Sequence, residues 1–446
     1  MKGGDKLWES YNGKNPTANS GYKMNWNGLE LLDNPYYQDD AVLIYHADCR
    51  AILPLLSGID AIITDPPYEL GFMGKEWDKS GIAYDPKVWL GMLEALKPGG
   101  HLLSFGGTRT YHQMVCAIED AGFEIRDMIS WIYGQGFPKS LDVSKAIDKM
   151  AGEYVKGKVL PSSRTTGASG TGIATTFREK TATNPQTDEA QQWEGWGTAL
   201  KPAHEPIVLA RKPLEKGLTV AENVLRWGTG AINIDGCRIG TDELKDKIYR
   251  NKGDNLSWGG TYGKGTVIGN QQGRFPANLL HDGSEEVLAE FAKAGVNKSH
   301  PMGGKGQYKG GSFGGGGTDG LYHGDTGSAA RFFYCAKASR AERDAGLEGI
   351  TYGEPQRWNK AGEWTNDTTP ARNTHPTIKP LALMRYLIKL ITPPNGIILD
   401  PFMGSGSTLV AARQLGFRAI GIDTEEKYCE IAQRRIEKVN LPLRED

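Results

Sequence analysis

Two short segments near opposite ends of the chain combine carboxylates with residues that fix the backbone. The first is Asp65-Pro66-Pro67-Tyr68, which follows a mainly apolar run at 60–63. That run is typical of a short buried strand, and the prolines must end it because they have no N–H to donate to a sheet. Each proline also forces the residue before it into an extended conformation. The sequence therefore predicts a stiff loop at the carboxyl end of a strand, where open α/β sheets bind ligands.

The second segment is Asp400-Pro401-Phe402-Met403-Gly404-Ser405-Gly406-Ser407-Thr408, between a predicted strand at 397–399 and a predicted helix at 409–415. A further strand, at 418–422, ends at Asp423. The glycines allow close approach of the backbone to a ligand, and a helix N-terminus offers free N–H groups. The acid at the end of the further strand can accept both hydroxyls of a ribose. The alternative is that the glycines only make a tight turn.

The class of ligand follows from what this second segment lacks. A P-loop requires Lys before Ser or Thr, and Gly406-Ser407-Thr408 has none. A dinucleotide site usually has a third glycine, and Ser407-Thr408-Leu409 has none. The pattern therefore disfavours phosphate and favours an adenosyl ligand with a small carboxylate tail.

The elements that must position these loops alternate along the chain. Strands are expected at 41–45, 60–63, 101–105, 124–131 and 205–210, and helices at 50–56, 86–96, 111–121, 381–391 and 426–439. Strands that alternate with helices predict a mostly parallel sheet covered on both faces. From 213 to about 370 no clean hydrophobic period holds, and the segment is rich in glycine and turn residues.

Composition narrows the class of protein. The chain has 446 residues, a formal net charge of −1 and five scattered cysteines that form no CxxC pair. These features predict two or three domains in a reducing compartment, without a disulfide framework or structural zinc. No apolar run is long enough to span a bilayer, and residues 1–5 are unlike a secretory leader. We therefore expect a cytoplasmic protein that binds neither membrane nor metal.

The two segments, together with His375-Pro376-Thr377-Ile378-Lys379-Pro380, resemble the amino-group DNA methyltransferases in the β arrangement of that family. The resemblance implies a Rossmann-like α/β sheet, circularly permuted, with a large inserted target recognition region. It also implies transfer of a methyl group from S-adenosylmethionine to adenine N6 or cytosine N4 in double-stranded DNA. The strings at 136–140 and 336–343 resemble phage and prophage members, which suggests a bacterial or phage-infected host cell. A homodimer is expected from family analogy alone.

The same resemblance assigns roles to individual residues. It places catalysis on Asp65, Pro66, Pro67 and Tyr68. It places the cofactor on Asp48, Thr377, Lys379, Pro380, Asp400, Phe402, Gly404, Ser405, Gly406, Thr408 and Asp423. Asp48 joins this set because the last helix leaves no room for a third strand after Asp423, so the strand at 41–45 must complete that half of the sheet. The alternatives are a helix cap for Thr377, a solvated charge for Lys379 and simple core packing for Phe402.

The loop's first residue bears on the target base. Family members that act on adenine usually carry Asp there, and those that act on cytosine N4 usually carry Ser, so Asp65 favours adenine. Because the target amine is inaccessible inside a duplex, the nucleotide must be flipped out of the helix. The alternatives are a cytosine-N4 methyltransferase, an RNA methyltransferase and an inactive nucleic-acid-binding protein.

The expected domains follow from these assignments. They are an N-terminal arm at 1–40, a catalytic half at 41–212 with an insert at about 137–202, a target recognition region at 213–370, and a cofactor half at 371–446. Within 201–280 there are 12 Lys or Arg and 8 Asp or Glu, interspersed with aromatic residues. Basic side chains follow phosphates and aromatic rings stack on bases, so we expect DNA contacts here. The candidates are Lys139, Arg226, Arg238, Arg250, Lys252 and Arg274, and the alternative is that they are ordinary surface charges.

Overall fold

The computed structural model describes residues 35–71, 76–134, 140–154, 184–239, 273–293, 297–298, 326–335, 347, 356–358, 364–366 and 378–439. The chain divides into a large unit, formed by Met1–Gly134 and His204–Asp446, and a small unit, Gln135–Ala203. The small unit overlaps the insert expected at about 137–202.

The described strands belong to the large unit and form one large sheet and two small ones. In chain order they are β1 (Tyr37–Gln38), β2 (Val42–His46), β3 (Ile59–Thr64), β4 (Leu96–Phe105), β5 (Glu124–Ile132), β6 (His204–Arg211), β7 (Leu279–His281), β8 (Asn297–Lys298), β9 (Thr326–Gly327), β10 (Tyr334–Cys335), β11 (Gln356–Trp358), β12 (Trp364–Asn366), β13 (Ile397–Asp400) and β14 (Arg418–Asp423). The two small sheets are the pairs β8–β9 and β11–β12.

The described α-helices follow the strands along the chain. They are α1 (Cys49–Ile52), α2 (Pro86–Ala95), α3 (Tyr111–Asp120), α4 (Val143–Ala151), α5 (Asp188–Gln192), α6 (Val220–Trp227), α7 (Glu285–Lys293), α8 (Leu381–Ile391), α9 (Ser407–Gln414) and α10 (Glu426–Glu437). Helices α4 and α5 lie in the small unit. Among all the residues that the structure describes, no helix has the length and apolar character that a membrane span requires.

The large sheet has ten strands in the order β1-β2-β14-β13-β3-β4-β6-β5-β7-β10. All neighbouring strands are parallel except where β1 meets β2 and where β6 lies between β4 and β5. The sheet is therefore mostly parallel, and the predicted Rossmann-like fold is confirmed. The antiparallel β6 matters for the site, because its first residues arrive at the edge where the parallel strands end.

The order of the strands shows the circular permutation directly. Strand β2, near the start of the chain, pairs in parallel with β14, and Leu43 lies opposite Ile420. Strand β13 pairs in parallel with β3, and Leu399 lies opposite Ile62. The prediction that an N-terminal strand completes the cofactor half is confirmed. Because β3 and β13 are neighbours that run the same way, the loops that follow them begin side by side.

Two hydrophobic clusters cover the two faces of the sheet. Successive residues of β3 show this, since Ile62 belongs to one cluster and Ile63 to the other, and both side chains are fully buried. Strands buried on both faces are continuous apolar runs, which explains why β3 and β13 were recognisable in the sequence. Helix α8 packs in the first cluster, and helices α2 and α3 pack in the second.

Two described strands of the region 213–370 belong to the large sheet. Strand β7 pairs in parallel with β5, and β10 pairs in parallel with β7, so this region extends one edge of the sheet. These strands have three and two residues, which is too short for an alternating pattern to be visible in the sequence.

Candidate active site

A buried hydrogen bond joins the two loops that the sequence singled out. Thr64, the last residue of β3, donates from Oγ1 to Asp400 Oδ1 at 2.8 Å. The other oxygen of this carboxylate accepts a hydrogen bond of 2.5 Å from Thr408 Oγ1 in α9. Burial raises the pKa of Asp400 to about 7, although both hydroxyls favour the ionised form. Asp400 therefore fixes the start of both loops and the first turn of the helix after them.

One cavity of about 350 Å³ lies between these loops. It is lined by Asp65, Pro66, Pro67, Tyr68, Leu70, Asp78, Lys379, Met384, Asp400, Phe402, Met403, Gly404, Ser405, Ser407, Thr408, Asp423, Glu425 and Tyr428. The whole Asp-Pro-Pro-Tyr segment lines this cavity, and so does most of the segment 400–408. Two motifs far apart in the sequence thus share a single cleft at the carboxyl edge of the sheet.

Four polar side chains form a cluster at the catalytic end of the cavity. The Nζ atom of Lys379 lies 2.9 Å from Asp65 Oδ2 and 3.0 Å from Glu205 Oε2. It also donates to Tyr68 OH at 3.1 Å, and the Tyr68 hydroxyl in turn donates to Glu205 Oε2 at 3.0 Å. Burial lowers the pKa of Lys379, but the nearby carboxylates outweigh it and the net shift is upward, so the side chain remains a cation.

The two oxygens of Asp65 differ in their surroundings. Burial raises the pKa of Asp65 and the Glu205 charge adds to that effect, whereas Lys379 lowers it, and the net shift is upward. Oδ2 is paired with Lys379, but Oδ1 is buried and has no hydrogen-bond partner among the residues that the structure describes. An unpaired buried acceptor is costly, and because Asp65 lines the cavity, this oxygen is a candidate acceptor for a donor group of a ligand.

The loop between β4 and α3 contacts the catalytic loop and stabilises its backbone. Thr110, just before α3, donates from Oγ1 to the Tyr68 carbonyl at 2.7 Å. A Cβ added to Gly107 would lie 3.2 Å from Tyr68 Cβ, so a small residue is needed where the two loops cross. These contacts and the prolines fix the ring of Tyr68 at the wall of the cavity.

Asp423, the last residue of strand β14, also lines the cavity. Its Oδ2 accepts from Gly404 N and its Oδ1 accepts from Glu425 N, both at 2.9 Å. Burial raises the pKa of this carboxyl to about 6, against the effect of those two backbone donors. Each oxygen keeps a lone pair, so the group can still accept hydrogen bonds from a ligand's hydroxyls.

The two glycines of the second loop have different tasks. Gly404 has a φ of 51°, lines the cavity and donates to Asp423. Gly406 has a φ of 76°, and a Cβ added to it would lie only 2.7 Å from Ala432 Cβ in α10. The structure therefore explains glycine at 406 by the packing of α10 against the start of α9.

The residues expected to bind the cofactor are placed as follows. Lining the cavity are Lys379, Asp400, Phe402, Gly404, Ser405, Thr408 and Asp423. Pro380, Gly406 and Asp48 are not among the described lining residues, and Thr377 lies outside the described part of the chain. Lys379 has partners other than the expected cofactor carboxylate, since its ammonium is held by Asp65 and Glu205.

Asp48 lies at the same edge of the sheet as the cavity. Its neighbour Ala47 donates from the backbone to the Asp423 carbonyl at 2.9 Å. The Asp48 carboxylate caps α1 through Arg50 N at 2.9 Å and pairs with the Arg50 side chain at 2.5 Å. Its expected contact with the adenine of the cofactor stays a prediction.

Sequence reasoning missed several residues of the site, above all Glu205. This residue lies in a strand that was predicted, but nothing in the sequence indicated that the strand runs antiparallel and starts beside the catalytic loop. Glu425 and Tyr428, which line the cofactor end, were also missed. They follow Asp423 closely in sequence, and that proximity is the signal that could have identified them.

The candidate DNA contacts are only partly within the described ranges. Arg226 pairs with Glu215 at 2.8 Å, and Arg238 pairs with Asp235 at 2.7 Å. Arg274 forms an isolated β-bridge with Ile239 through the backbone. Lys139, Arg250 and Lys252 lie outside the described residues. Contact of these side chains with DNA stays a prediction.

A mostly parallel sheet with an acidic cleft at its carboxyl edge defines a Rossmann-like enzyme that binds a nucleoside-type cofactor. The chain matches the N6/N4 DNA methylase family over residues 59–434 and belongs to that family. The resemblance stated from the motifs is thereby confirmed, and membership supports S-adenosylmethionine as the cofactor. Family membership alone does not choose between adenine and cytosine.

Individual relatives match shorter segments. The chain is 44% identical over 81 residues to the type II methyltransferase M2.DpnII of Streptococcus pneumoniae, covering 17% of this chain and 30% of that protein. It is 44% identical over 66 residues to the type II methyltransferase M.ScaI of Streptomyces caespitosus, covering 15% and 22%. The chain spans less than a third of the length of these curated relatives.

Solved structures match over most of the chain at low identity. The M1.HpyAVI–SAM complex has a TM-score of 0.34 at 18% identity and covers 88% of this chain and 99% of its own. The cytosine-N4-specific PvuII DNA methyltransferase has a TM-score of 0.39 at 12% identity and covers 92% and 98%.

The chemistry of the cavity suits S-adenosylmethionine. The Asp423 carboxylate could accept hydrogen bonds from ribose hydroxyls, and the half-buried Phe402 offers an apolar ring that could pack against an adenosyl group. Asp65, whose Oδ1 has no hydrogen-bond partner among the described residues, lines the same cavity, and its carboxylate can accept from a donor group. Across the described ranges, no group of three or more His, Cys, Asp or Glu residues could hold a metal ion.

Proposed function

We propose that the protein is a site-specific DNA methyltransferase that methylates adenine N6 of a flipped-out base in double-stranded DNA, using S-adenosylmethionine. The observation that carries the proposal is the unpaired acceptor Asp65 Oδ1 in the same cavity as Asp423. One end of the cavity suits an adenosyl group and the other suits a group that donates N–H. A cleft with those two ends matches the two substrates of an amino methyltransferase.

Residues of the second loop would hold the cofactor. Asp423 accepts the ribose hydroxyls, Phe402 packs against the adenosyl group, and Asp400 lies near the methionine amino group. Ser405 and Thr408 line the wall between them. S-adenosylmethionine supplies a methyl group on a sulfonium, whose S–CH₃ bond breaks as the N–CH₃ bond forms.

The catalytic loop acts on the target amine. An exocyclic amine is a poor nucleophile because its lone pair is delocalised into the ring. Acceptance of one N–H by Asp65 Oδ1 and of the other by the Pro66 carbonyl favours a pyramidal nitrogen with an available lone pair. The same carboxylate can take up the proton that the nitrogen loses. These groups work by position and electrostatics, since they are held before the base arrives.

Tyr68 would receive the flipped base on its ring. The ring lines the cavity next to Asp65, and the hydroxyl is held by Glu205 and Lys379. Stacking of a base on an aromatic ring contributes about 1–3 kcal/mol, which offsets part of the cost of flipping. Adenine is favoured over cytosine because the first residue of the loop is Asp.

The region 213–370 would read the DNA sequence. Its basic and aromatic residues suit phosphates and bases, and Arg226 and Arg238 each lie over an aromatic ring, that of Trp227 and Phe275 respectively. A gel-shift assay with this region deleted tests the assignment, and circular dichroism must show that the shortened chain folds. Loss of site-specific binding is expected, and undiminished binding would remove the assignment.

Identification of the methylated nucleoside tests the proposed reaction. The full chain is incubated with duplex DNA and S-adenosylmethionine, and the digested DNA is analysed by mass spectrometry. We expect N6-methyldeoxyadenosine. N4-methyldeoxycytidine would establish the alternative base, methylation of RNA alone would establish the alternative polymer, and the absence of any methylated nucleoside would refute the proposal.

A further inference from the structure

Glu205 is a partly buried carboxylate beside the catalytic loop to which no role has yet been given. It is the second residue of β6, and β6 runs antiparallel to β4. The start of β6 therefore arrives at the edge where β3 and β4 end. This topology places Glu205 against a loop that follows a strand two positions away in the sheet.

The contacts of Glu205 converge on one oxygen. Its Oε2 lies 3.0 Å from Lys379 Nζ and accepts the Tyr68 hydroxyl at 3.0 Å. Lys379 is simultaneously 2.9 Å from Asp65 Oδ2. Exposure of these side chains is low, at 19% for Glu205, 18% for Asp65 and 7% for Lys379. The ammonium is thus shared between two carboxylates in a site with little water.

We propose that Glu205 is a positioning residue for methyl transfer, which holds Lys379 and Tyr68 so that Asp65 Oδ1 keeps no hydrogen-bond partner among the described residues of the protein and can accept from the target amine. The inference rests on the proposed function and adds a residue to it. Lys379 already pairs with Asp65 Oδ2, and the Tyr68 hydroxyl also interacts with this carboxylate. Without Glu205, neither donor would be held by a second carboxylate, and either could shift onto Oδ1. The acceptor needed by the substrate would then be occupied by the protein.

The shared cation also affects how readily Asp65 accepts a proton. A carboxylate that faces a lysine alone is strongly stabilised as the anion, whereas a second carboxylate opposes that effect. Among the described residues, the charged and titratable groups that face Glu205 or Asp65 include Lys379 before α8, Tyr68 after β3, Tyr133 after β5 and Asp400 at the end of β13. Burial and the Glu205 charge raise the pKa of Asp65. Removal of that charge must therefore lower it.

Glu205→Gln separates this role from a merely structural one. The amide keeps the size of the side chain and an acceptor for Tyr68 but removes the negative charge. Methyl transfer requires ionised Asp65, so the single-turnover rate falls on the acid side of its pH profile. This acid limb of the profile should move to lower pH in the variant. The plateau rate should fall by roughly tenfold to a hundredfold, the range expected when a reacting group loses its orientation.

The matched control is Glu124→Gln. Glu124, the first residue of β5, pairs at 2.6 Å with Arg211, the last residue of β6. This change therefore also removes a carboxylate from an ion pair, but at the end of β6 opposite to Glu205. We expect its rate and its acid limb to match the wild-type protein. Glu205→Asp keeps the charge, so its acid limb should lie nearer the wild-type position than that of Glu205→Gln.

The experiment measures single-turnover methylation across pH for the full-length variants, together with S-adenosylmethionine affinity and fluorescence of 2-aminopurine at the target position. The expected result is a lower plateau, a shifted acid limb and altered base fluorescence in Glu205→Gln, with cofactor affinity within about twofold of wild type. A wild-type profile, or a lower plateau without a shift of the limb, would overturn the inference. Failure of the wild-type chain to methylate DNA would instead refute the proposed function.

Discussion

Thr64 Oγ1 donates a hydrogen bond of 2.8 Å to Asp400 Oδ1, so the last residue of β3 and the last residue of β13 meet in the core. Each of these residues directly precedes a loop of the site. The contact is buried and joins the catalytic segment to the cofactor segment. The bond adds a direct side-chain link to the parallel pairing of β3 and β13, so the two loops start from connected residues.

The pKa of Asp400, raised to about 7 from 3.8 by burial, predicts a dependence of stability on pH. Between these values the folded state binds more protons than the unfolded state, so the free energy of unfolding must fall as pH rises from about 4 to about 7. Asp400→Asn removes this contribution. Urea unfolding across this range should show a shallower decline for the variant.

Asp65 and Asp423 also have raised pKa values, so the wild-type slope has several sources. The difference between wild type and Asp400→Asn isolates the part that belongs to Asp400. Identical slopes for the two proteins would show that the Asp400 carboxyl does not titrate abnormally.

Gly406→Ala should destabilise the protein more than the same change at Gly58. Both glycines have a positive φ, of 76° and 72°, so the backbone strain added by a side chain is similar. At 406 the new Cβ would lie 2.7 Å from Ala432 Cβ, whereas at 58 it would meet nothing within 4 Å. We expect about 1 kcal/mol for the strain alone and about 1–3 kcal/mol more for overpacking at 406.

Thermal and urea unfolding of the two glycine variants measure this difference. Because α9 begins directly after 406, we also expect weaker binding of S-adenosylmethionine by Gly406→Ala only. Equal destabilisation of the two variants would mean that α10 can move away without cost.

Asp423→Asn should weaken the binding of S-adenosylmethionine by about tenfold to a hundredfold, since hydrogen bonds to charged groups contribute about 1.5–3 kcal/mol. The carboxylate is held by Gly404 N and Glu425 N, and the amide cannot accept from both in the same way. Isothermal titration calorimetry gives the affinity. Glu426→Gln is the control, because Glu426 is exposed in the next helix and should bind the cofactor normally.

The wild-type affinity should itself fall as pH drops through about 6, where the Asp423 carboxyl takes up a proton. That decline should be smaller in Asp423→Asn. Normal affinity of the variant at neutral pH would remove Asp423 from the cofactor site.

The sequence was sufficient for the fold and for most of the cavity because those parts are local patterns. The prolines after Asp65 and the glycines after Asp400 each predict the conformation of their own loop, and an apolar run predicts a buried strand. The completion of the cofactor half by β2 followed from counting strands after Asp423. The loop and strand inferences need only neighbouring residues, whereas the placement of β2 also needed the family's strand arrangement.

The partners of Lys379 could not be inferred in this way. Its contacts with Asp65 and Glu205 depend on which strands become neighbours and on the antiparallel direction of β6. The tight packing of Gly406 against Ala432 likewise depends on the position of α10. Strands β7 and β10 were missed because two or three residues contain no period. Long-range pairing, not local propensity, accounts for each of these misses.

Single-turnover methyl transfer by Asp65→Ala, measured beside its affinity for S-adenosylmethionine, is the most direct test of the shared cleft. The variant loses the acceptor at Oδ1 but leaves Asp423 and Asp400 in place. We predict that methyl transfer to DNA falls by at least about a hundredfold, the cost of losing one preorganised polar contact to the reacting group, while cofactor affinity is retained. Methyl transfer at the wild-type rate would contradict the account.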